Sequence, residues 1–567
     1  MNIRLQQLNP TIGDIKGNEA AILEALADAE AAGVDLLILP EMVVTGYPTQ
    51  DLLEKEAFRT LCYEAGKRIA AATQKTALLF GNITPNKKGT GRRMFNSALL
   101  ARGGNVLDVV HKTLLPTYDV FDDLRYFEPN TEFRCMQLDG VALGVTICED
   151  IWYNENEVQY HTYDIDPASE VAAKGAQVLI NISASPYTTS KHENRAAMLA
   201  RHAQLLSLPV LYANQVGAHT EIIFDGDSMA LSADGEICCT TRPFHPSHVD
   251  VDFDPESGRL IPDPSGNYPT YYRSAEERQF HAIACGLRDY INKTGVTENV
   301  VLGLSGGIDS ALVCAIAAEV LGPEQVTAIT MPSKFSSEGS VSDSEKLARN
   351  LGVQLYELPI KELYDTANST LEPLFEGLNF GVAEENLQSR LRGLLLMAYA
   401  NKFGQFLLAT GNKSEYAVGY ATLYGDMNGA LAIIGDLYKT EVYALARWMN
   451  KELWGKEVIP ESIIEKAPSA ELRADQKDSD SLPEYDLLDE ILKRYIELQE
   501  SAEAIAEHTG RPDAVKQVIQ LTDRNEFKRY QAAPILKLSS KSFGTGRRWP
   551  LVQQYTGHEF RRKIFES

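Results

Sequence analysis

The chain has 567 residues, of which 44% are hydrophobic and 23% are charged, and its formal net charge is −24. This length is enough for about two to four domains, with ample material for hydrophobic cores. Nucleic-acid binding needs a basic surface, so the excess of acidic residues argues against a nucleic-acid partner.

The cysteine pattern and the apolar runs indicate a cellular location. The seven cysteines are odd in number and include no Cys-x-x-Cys pair, so neither a disulfide framework nor a zinc site is predicted. A reducing cytoplasm is therefore the expected location. Residues 1–5 do not resemble a signal peptide. No apolar run approaches the roughly 18 residues of a membrane helix, so we expect no membrane partner.

The first half of the chain has an α/β pattern. From residue 1 to about residue 244, short apolar runs alternate with amphipathic segments that have a helical period. This alternation predicts a domain that spans residues 1–245. The predicted strands cover residues 34–40, 77–81, 141–147, 178–182 and 210–213, and the predicted helices include residues 18–32 and 58–72.

A change in composition predicts a boundary between two domains. Residues 246–273 carry repeated Pro, Gly and Ser positions, which interrupt regular structure, so we predict a linker there. The second domain then covers residues 274–567 and begins with a helix at Ser274, which has two glutamates in its first turn. This half is again α/β, with predicted strands at residues 300–304, 326–331, 354–358 and 406–410, and a helix-rich segment at residues 484–530.

Three reactive residues of the first half stand at the ends of apolar runs: Glu41, Lys112 and Cys148. Ligands of α/β proteins bind beyond the carboxyl ends of strands, so the three side chains could meet at one edge. A carboxylate can accept the proton of a thiol, and an ammonium group can stabilise the developing oxyanion. Taken singly, each has an ordinary structural explanation. A Cys at a strand end is more often a small core residue, and a lone Glu or Lys there is usually solvated.

The residues around these three positions resemble the signature blocks of the nitrilase (carbon–nitrogen hydrolase) family. The blocks are Leu-Pro-Glu-Met at residues 39–42, His-Lys-Thr-Leu-Leu-Pro at 111–116 and Ile-Cys-Glu-Asp-Ile-Trp at 147–152. The resemblance implies a four-layer α-β-β-α sandwich and an amidase that acts through a thioester. It implies that Glu41 is the general base, Lys112 the oxyanion-stabilising residue and Cys148 the nucleophile, with Glu128 as a second, supporting glutamate.

The amide donor implied by the same resemblance is glutamine. Three positions match those at which glutamine-hydrolysing members of the family contact this substrate: Tyr118, Ser185 and Lys191. The family often has Arg where Lys191 stands. Tyr118 could equally be an aromatic residue at the rim of the site, and Lys191 an ordinary charge at the start of a helix.

The second half contains a glycine-rich loop after its first predicted strand. The sequence Ser-Gly-Gly-Ile-Asp-Ser at residues 305–310 separates the strand from a helical segment at residues 311–321. Such a turn directs backbone N–H groups and a helix N-terminus towards a phosphate. It resembles the pyrophosphate-binding loop of N-type ATP pyrophosphatases, which implies a Rossmann-like parallel-sheet domain that cleaves ATP to AMP. The implied ATP-binding residues are Gly303, Leu304, Ser305, Gly306, Gly307, Ile308, Asp309, Ser310, Thr410 and Lys439.

Further segments of this half resemble the NAD⁺ synthetases. They lie at residues 331–337, 386–392, 407–415, 425–429, 436–440 and 527–529. The resemblance implies Mg²⁺ ligands at Asp309 and Glu415. The chain departs from the stand-alone, ammonia-using synthetases, which have Lys and Asp where Leu423 and Ala430 stand here. The implied contacts with deamido-NAD⁺ are Asn386, Arg390, Glu415 and Lys528.

Across nearly its full length, the chain therefore resembles the glutamine-dependent NAD⁺ synthetases. This implies the ATP-dependent amidation of deamido-NAD⁺ with glutamine as nitrogen donor, which yields NAD⁺, glutamate, AMP and pyrophosphate. It also implies a homo-oligomer. Two alternatives remain open: another glutamine-dependent amidotransferase or ligase with the same loop, and a non-catalytic sensor of glutamine or nucleotide.

Overall fold

The structure of the protein is a computed structural model that describes residues 1–153, 163–262, 274–473 and 476–553. The chain forms two compact units, Met1–Arg273 and Ser274–Ser567. Within the described ranges, every helix is too short or too polar to cross a lipid bilayer.

The first unit is built on two β-sheets. Its strands are β1 (Asn2–Gln7), β2 (Leu36–Ile38), β3 (Ala77–Pro85), β4 (Met94–Arg102), β5 (Asn105–His111), β6 (Met136–Leu138), β7 (Val141–Ile147), β8 (Val178–Ser183), β9 (Val210–Asn214), β10 (Val216–His219), β11 (Ile222–Asp225), β12 (Met229–Leu231), β13 (Ile237–Thr240), β14 (Ser247–Asp254) and β15 (Arg259–Pro262). One sheet has the order β15-β14-β1-β2-β3-β4-β5 and the other has the order β13-β12-β9-β8-β7-β6, while β10 and β11 pair separately.

Helices cover the outer faces of both sheets. α1 and α2 pack on the first sheet, and α4 and α5 pack on the second. In β8, Val178, Ile180 and Ile182 belong to the core between the sheets, whereas Leu179 packs under the helices. Because both faces of this strand are covered, most of its residues are apolar, and the polar Asn181 and Ser183 are buried with them. The four layers confirm the predicted α-β-β-α sandwich. The helices of this unit are α1 (Ile15–Ala31), α2 (Glu56–Ala72), α3 (Asp123–Tyr126), α4 (Pro167–Ala173) and α5 (Lys191–Leu206).

The prediction that residues 246–273 form a linker is wrong as far as residue 262. β14 pairs antiparallel with β1, and β15 pairs with β14, so both strands belong to the first sheet. In β14, Val249, Val251 and Phe253 alternate with more polar residues and point into the core between the sheets. The Pro and Ser positions around this short alternation concealed it. Residues 263–273 of the predicted linker lie outside the described residues.

The second unit is built on one parallel sheet. Its strands are β16 (Val300–Gly303), β17 (Val326–Thr330), β18 (Gln354–Glu357), β19 (Phe406–Ala409) and β20 (Leu431–Ala432). They lie in the order β18-β17-β16-β19-β20, and every pair is parallel. The chain therefore moves outwards in one direction from β16 and then returns to its other side at β19. This reversal opens a crevice at the carboxyl end of β16, where α/β proteins bind ligands.

Helices pack around this sheet and continue beyond it, which confirms the predicted Rossmann-like architecture and the helix-rich segment at residues 484–530. The first of them begins after Ser274, close to the predicted start, and Ser274 caps it by accepting a hydrogen bond from the N–H of Glu277. The helices are α6 (Ala275–Thr294), α7 (Ile308–Leu321), α8 (Glu338–Leu351), α9 (Lys361–Phe375), α10 (Val382–Phe403), α11 (Lys413–Val418), α12 (Lys439–Trp448), α13 (Glu461–Glu465), α14 (Tyr485–Ile496), α15 (Ala502–Thr509), α16 (Pro512–Arg524) and α17 (Glu526–Arg529).

Candidate active sites

The fold brings Glu41, Lys112 and Cys148 together inside the first unit. Glu41 lies three residues after β2, and Lys112 and Cys148 directly follow β5 and β7. All three are buried, with exposed fractions of 0%, 1% and 4%. Strand ends of both sheets therefore converge on one buried cluster.

Lys112 lies between two carboxylates. Its Nζ is 2.9 Å from Oε1 of Glu41 and 2.7 Å from Oδ2 of Asp123. Burial alone would lower the pKa of Lys112, but the negative charges of Asp123 and Glu41 outweigh it and raise the pKa well above its usual value. The side chain is therefore held as an ammonium group that can donate to an oxyanion.

Glu41 is oriented by hydrogen bonds on both of its oxygens. Asn96 donates from Nδ2 to Oε1 over 2.6 Å, and the backbone N–H of Ala184 donates to Oε2 over 2.8 Å. Ala184 belongs to the segment after β8, so this second bond joins the two sheets. These bonds fix the position of the Glu41 carboxylate within the cluster.

Cys148 has an unusual backbone conformation at the start of a short 3₁₀ turn. Its φ is 47°, a left-handed value that non-glycine residues rarely adopt. Burial and the negative charge of Glu41 raise the pKa of its thiol, and Lys112 only partly offsets them. The thiol therefore carries its proton at neutral pH, and a nucleophilic attack needs a base to remove that proton.

Two of the three predicted glutamine contacts, Tyr118 and Lys191, lie near Glu149, the residue after Cys148. The hydroxyl of Tyr118 donates to both carboxylate oxygens of Glu149, at 2.9 and 3.0 Å. Burial raises the pKa of Glu149, and the positive charge of Lys191 is among the effects that oppose the rise. Lys191 is the first residue of α5, and its Nζ lies 4.7 Å from the ring centre of Trp152.

Ser185 is buried in the segment that follows β8. Its backbone N–H donates to Oδ1 of Asn214 over 2.8 Å, and Asn214 is the last residue of β9. The neighbouring N–H of Ala184 contacts Glu41. Ser185 therefore lies on a rigid segment that borders the buried cluster.

The second carboxylate at Lys112 is Asp123, and not the predicted Glu128. Glu128 instead accepts a hydrogen bond of 2.6 Å from the backbone N–H of Arg92, at the surface of the unit. The polypeptide turns through α3 between these two acidic residues and brings only the earlier one inward. The resemblance to the family did not distinguish two acids this close together in sequence.

Sequence reasoning missed both Asn96 and Asp123. Asn96 could have been found, because it is a polar residue inside the apolar run of β4 and is 1% exposed. Asp123 follows another aspartate at the start of α3, and nothing in its sequence context separates the two. Its function depends on the position of Lys112, which only the fold sets.

In the second unit, the glycine-rich loop at residues 305–310 closes on itself through its serines. Ser310 Oγ accepts from the backbone N–H of Ser305 over 3.2 Å and donates to the carbonyl of Gly307 over 3.1 Å. Gly306 has a φ of 77°, and a Cβ atom there would lie 2.3 Å from the carbonyl oxygen of Ser340. Only glycine fits this position, and the loop leads directly into α7.

Asp309, Glu415 and Lys439 form a charged cluster beside the loop. Lys439 makes an ion pair with Asp309 and approaches Oε1 of Glu415 at 3.5 Å. Asn412 Nδ2 also donates to Asp309 over 2.8 Å. Burial, followed by the charge of Asp309, raises the pKa of Glu415 to about 8. The carboxylates of Asp309 and Glu415 both approach Lys439, and carboxylate oxygens are the ligands that a hard cation prefers.

A cavity of about 760 Å³ opens over the loop. This volume lies in the usual range for small-molecule sites. Lys528 also lines the cavity, where it donates to the carbonyls of Gly419 and Ala421 over 2.7 and 2.8 Å. Most of the sequence-predicted nucleotide residues line it, namely Gly303, Leu304, Ser305, Gly307, Ile308, Asp309, Ser310, Asn386, Thr410, Glu415, Lys439 and Lys528.

Arg390 does not line this cavity. It is exposed, and its Nε donates to the carbonyl of Leu423 over 3.2 Å. The cation of α10 that lines the cavity is Arg392, whose Nε donates to the carbonyl of Met331 over 3.0 Å. The two arginines lie two residues apart on the helix and therefore face different sides of it.

Comparisons with known proteins match both units. The sequence profile of the carbon–nitrogen hydrolases matches residues 2–262, and that of the NAD synthases matches residues 279–532. The glutamine-dependent NAD(+) synthetase of Synechocystis sp. is 43% identical over 98% of this chain and 99% of its own length. That of Thermotoga maritima is 39% identical over 98% of this chain and 99% of its own length.

Solved structures agree with these matches. A glutamine-dependent NAD+ synthetase from Acinetobacter baumannii, solved in complex with ADP, has a TM-score of 0.77 and 35% identity. The match covers 97% of this chain and 98% of that one. An enzyme of the same name from Cytophaga hutchinsonii has a TM-score of 0.79 and 21% identity, which indicates a shared fold. With its buried Cys-Glu-Lys cluster, its phosphate-type loop and these full-length relatives, the chain belongs to the family of glutamine-dependent NAD(+) synthetases.

Proposed function

We propose that the chain transfers nitrogen from glutamine to deamido-NAD⁺ in a reaction driven by ATP, with NAD⁺, glutamate, AMP and pyrophosphate as products. The observation that carries the proposal is that one chain contains both a buried Cys-Glu-Lys cluster and a phosphate-type loop that opens on a cavity. The cluster is suited to releasing ammonia from an amide, and the loop and cavity are suited to activating an acceptor with ATP.

In the first unit, Cys148 attacks the side-chain carbonyl carbon of glutamine. Because the pKa of its thiol is raised, the proton must leave as the C–S bond forms, and Glu41 accepts it. The Lys112 ammonium stabilises the oxyanion. The C–N bond then breaks, Glu41 returns the proton to the leaving nitrogen, and ammonia departs. Water cleaves the thioester, with Glu41 again as base, and glutamate is released.

Glutamine recognition is proposed for Tyr118, Ser185 and Lys191. Tyr118 and Lys191 lie near Glu149, so the surroundings of Cys148 carry both signs of charge. An α-amino acid also carries both signs, which supports this assignment. Ser185 lies on the segment whose neighbouring N–H contacts Glu41.

In the second unit, the loop at residues 305–310 and the N-terminus of α7 bind the phosphates of ATP. Lys439, which pairs with Asp309 beside the loop, supplies positive charge to them. Gly303, Thr410 and the other predicted lining residues enclose the nucleotide. The nicotinate carboxylate attacks the α-phosphorus, pyrophosphate leaves, and an acyl-adenylate forms. Ammonia then attacks the acyl carbon and displaces AMP.

A magnesium ion fits Asp309 and Glu415. Both offer carboxylate oxygens beside the phosphate loop, and Mg²⁺ commonly binds one or two carboxylates together with substrate phosphates and water. When bound, it would neutralise phosphate charge during the departure of pyrophosphate. Asn386 and Lys528 are proposed to contact deamido-NAD⁺, since both line the cavity. Arg390 keeps this predicted role only if the dinucleotide extends beyond the cavity lining.

We also propose that the chain acts in the cytoplasm and as a homo-oligomer. The seven cysteines are all free thiols, which suits a reducing compartment. α10 exposes Leu394 and Ala398 in line with the half-buried Leu387 and Leu391. Apolar residues at this helical spacing form a stripe that a second copy of the chain could cover.

The proposal is tested by assaying NAD⁺ formation from deamido-NAD⁺ and ATP, with either glutamine or ammonium as nitrogen source. Cys148→Ala should abolish the glutamine-driven reaction and leave the ammonium-driven reaction intact. Asp309→Ala should abolish both. Glutamine-driven synthesis by the Cys148→Ala variant would show that the assigned nucleophile is wrong.

The same assay separates the alternatives. A different amidotransferase would release AMP and pyrophosphate with some other acceptor but would form no NAD⁺. A sensor would bind glutamine or ATP, measured by calorimetry, without turnover. Either result with the wild-type chain would overturn the proposal.

A further inference from the structure

Lys112 and Cys148 lie on different sheets of the first unit. Lys112 follows β5, an edge strand of the first sheet, and Cys148 follows β7 in the second sheet. No strand pairing joins β5 to β7 in the described residues. Hydrogen bonds within the sheets therefore do not set the distance between the ammonium group and the thiol, and some other contact must do so.

One carboxylate, that of Asp150, bridges the two segments. Its Oδ1 accepts from the backbone N–H groups of Thr113 and Leu114, at 2.9 and 2.7 Å, and its Oδ2 accepts from that of Ile147 at 3.0 Å. The first two residues directly follow Lys112, and Ile147 directly precedes Cys148. Asp150 is 2% exposed, and its carboxylate joins the backbone after β5 to the backbone at the end of β7.

The backbone at Cys148 needs such support. A non-glycine residue with φ of 47° is strained by about 1 kcal/mol or more, and it persists only where its surroundings hold it. The bond from Ile147 to Asp150 holds the residue before the cysteine. On the other side, Asn181 Nδ2 donates to the Cys148 carbonyl over 3.4 Å.

The burial of Asp150 is itself costly. Burial raises its pKa to about 7, although the N–H groups of Leu114, Ile147 and Thr113 and the charge of Lys112 oppose the rise. A neutral side chain could hold one of the two segments without this cost. A carboxylate offers two acceptor oxygens that face opposite ways, which is what bridging two backbone segments requires.

We propose that Asp150 is a positioning residue that sets the spacing between Lys112 and Cys148 across the two sheets. It touches neither the substrate nor the reacting atoms, and it acts through the backbone of the residues that do. This inference rests on the proposed glutaminase function of the first unit.

The test is the Asp150→Asn variant of the full chain, assayed for glutamine hydrolysis. Its amide oxygen can still accept from Thr113 and Leu114, but its NH₂ group then faces the N–H of Ile147, donor against donor. We expect kcat to fall by roughly 10²-fold, the effect of a misplacement of about 1 Å. The KM for glutamine and the rate of ammonium-driven NAD⁺ synthesis should stay near their wild-type values. The rate at which iodoacetamide alkylates Cys148 should change.

Two further variants separate positioning from folding. Asp35→Asn makes the same substitution at an aspartate that also accepts a backbone N–H, that of Asn2 at 2.7 Å, at the opposite ends of the strands. It should keep wild-type kcat. Asp150→Glu keeps the negative charge but displaces it by one methylene, so its kcat should fall. This variant therefore tests the inference even if Asp150→Asn does not fold.

Three outcomes would overturn the inference: unchanged kcat in both Asp150 variants, an equal loss in Asp35→Asn, or a rise in KM alone. A wild-type chain that does not hydrolyse glutamine would refute the proposed function instead. The two failures are therefore distinguishable.

Discussion

At the scale of single residues, the buried cluster around Lys112 contains one ammonium group and two carboxylates. One ammonium, that of Lys112, lies between the carboxylates of Glu41 and Asp123, and all three groups are at most 5% exposed. Tyr47 donates a further hydrogen bond of 2.9 Å to Asp123. Removing one member of a buried ion pair leaves an uncompensated group, so each of these residues should be sensitive to substitution.

Asp123→Asn is expected to impair glutamine hydrolysis. The neutral amide weakens the interaction between residue 123 and the Lys112 ammonium by about 1.5–3 kcal/mol, the usual value of a hydrogen bond to a charged group. This corresponds to roughly 10- to 100-fold in rate. Glutamate release measures the loss, and ammonium-driven NAD⁺ synthesis serves as the internal control. Wild-type glutamate release by this variant would contradict a role for Asp123 at the site.

His111 should make the first unit sensitive to acid. Burial, together with the positive charges of Arg134 and Lys88, lowers the pKa of His111 to about 4. In the unfolded chain its pKa is about 6.5, so between these values the folded state binds fewer protons. The stability that its neutral form provides is complete above pH 6.5 and is lost as the pH falls towards 4.

This effect is measured by thermal unfolding of the wild type and of His111→Gln at pH 7 and at pH 5. Glutamine cannot titrate, and it can still bond to Ser97, whose Oγ is 2.8 Å from Nδ1 of His111. The variant should therefore lose less melting temperature between the two pH values than the wild type loses. Equal losses would show that other groups dominate the acid response.

At the scale of elements, the turn between β16 and α7 is sterically constrained at Gly306. Gly306→Ala would force a Cβ atom against the Ser340 carbonyl in a left-handed backbone conformation. We expect both glutamine-driven and ammonium-driven NAD⁺ synthesis to fall sharply, because the phosphate loop must change shape. Glutamine hydrolysis in the first unit should continue.

Gly295→Ala is the matched control for this substitution. Gly295 also has a positive φ, 62°, but an added Cβ atom would meet nothing within 4 Å. The variant should therefore show only the backbone strain, about 1 kcal/mol, with normal synthesis. If the two variants behaved alike in the NAD⁺ assay, steric crowding at the loop would not be the cause.

At the scale of the whole molecule, the exposed apolar stripe of α10 predicts self-association. Leu394→Glu places a charge in this stripe, where Leu394 is 61% exposed. Sedimentation velocity should show a smaller particle than the wild type, since burying an unpaired carboxylate in an interface is costly. Leu205→Glu, at a leucine of α5 that is 79% exposed, should leave the particle size unchanged. If the wild-type chain sedimented as a monomer, the prediction of self-association would be wrong.

The sequence allowed a good prediction of the parallel strands and a poorer one of the sheet edges. Strands such as β7 and β8 are buried on both faces and consist mostly of apolar residues, so they were found almost to the residue. β14 and β15 lie at one end of the first sheet and have alternating or mixed polarity. The pairing of β14 with β1 joins residues about 245 positions apart, which no local pattern contains.

The sequence by itself determined the chemistry of the two sites. Glu41, Lys112, Cys148 and the loop at residues 305–310 each follow an apolar run, and such local patterns survive in a linear sequence. Only the tertiary structure decided which carboxylate contacts Lys112, which arginine of α10 lines the cavity, and how Asp150 bridges two sheets. The physical reason is that hydrogen bonds and ion pairs act over about 3 Å between residues far apart in the chain, so their partners are set by folding.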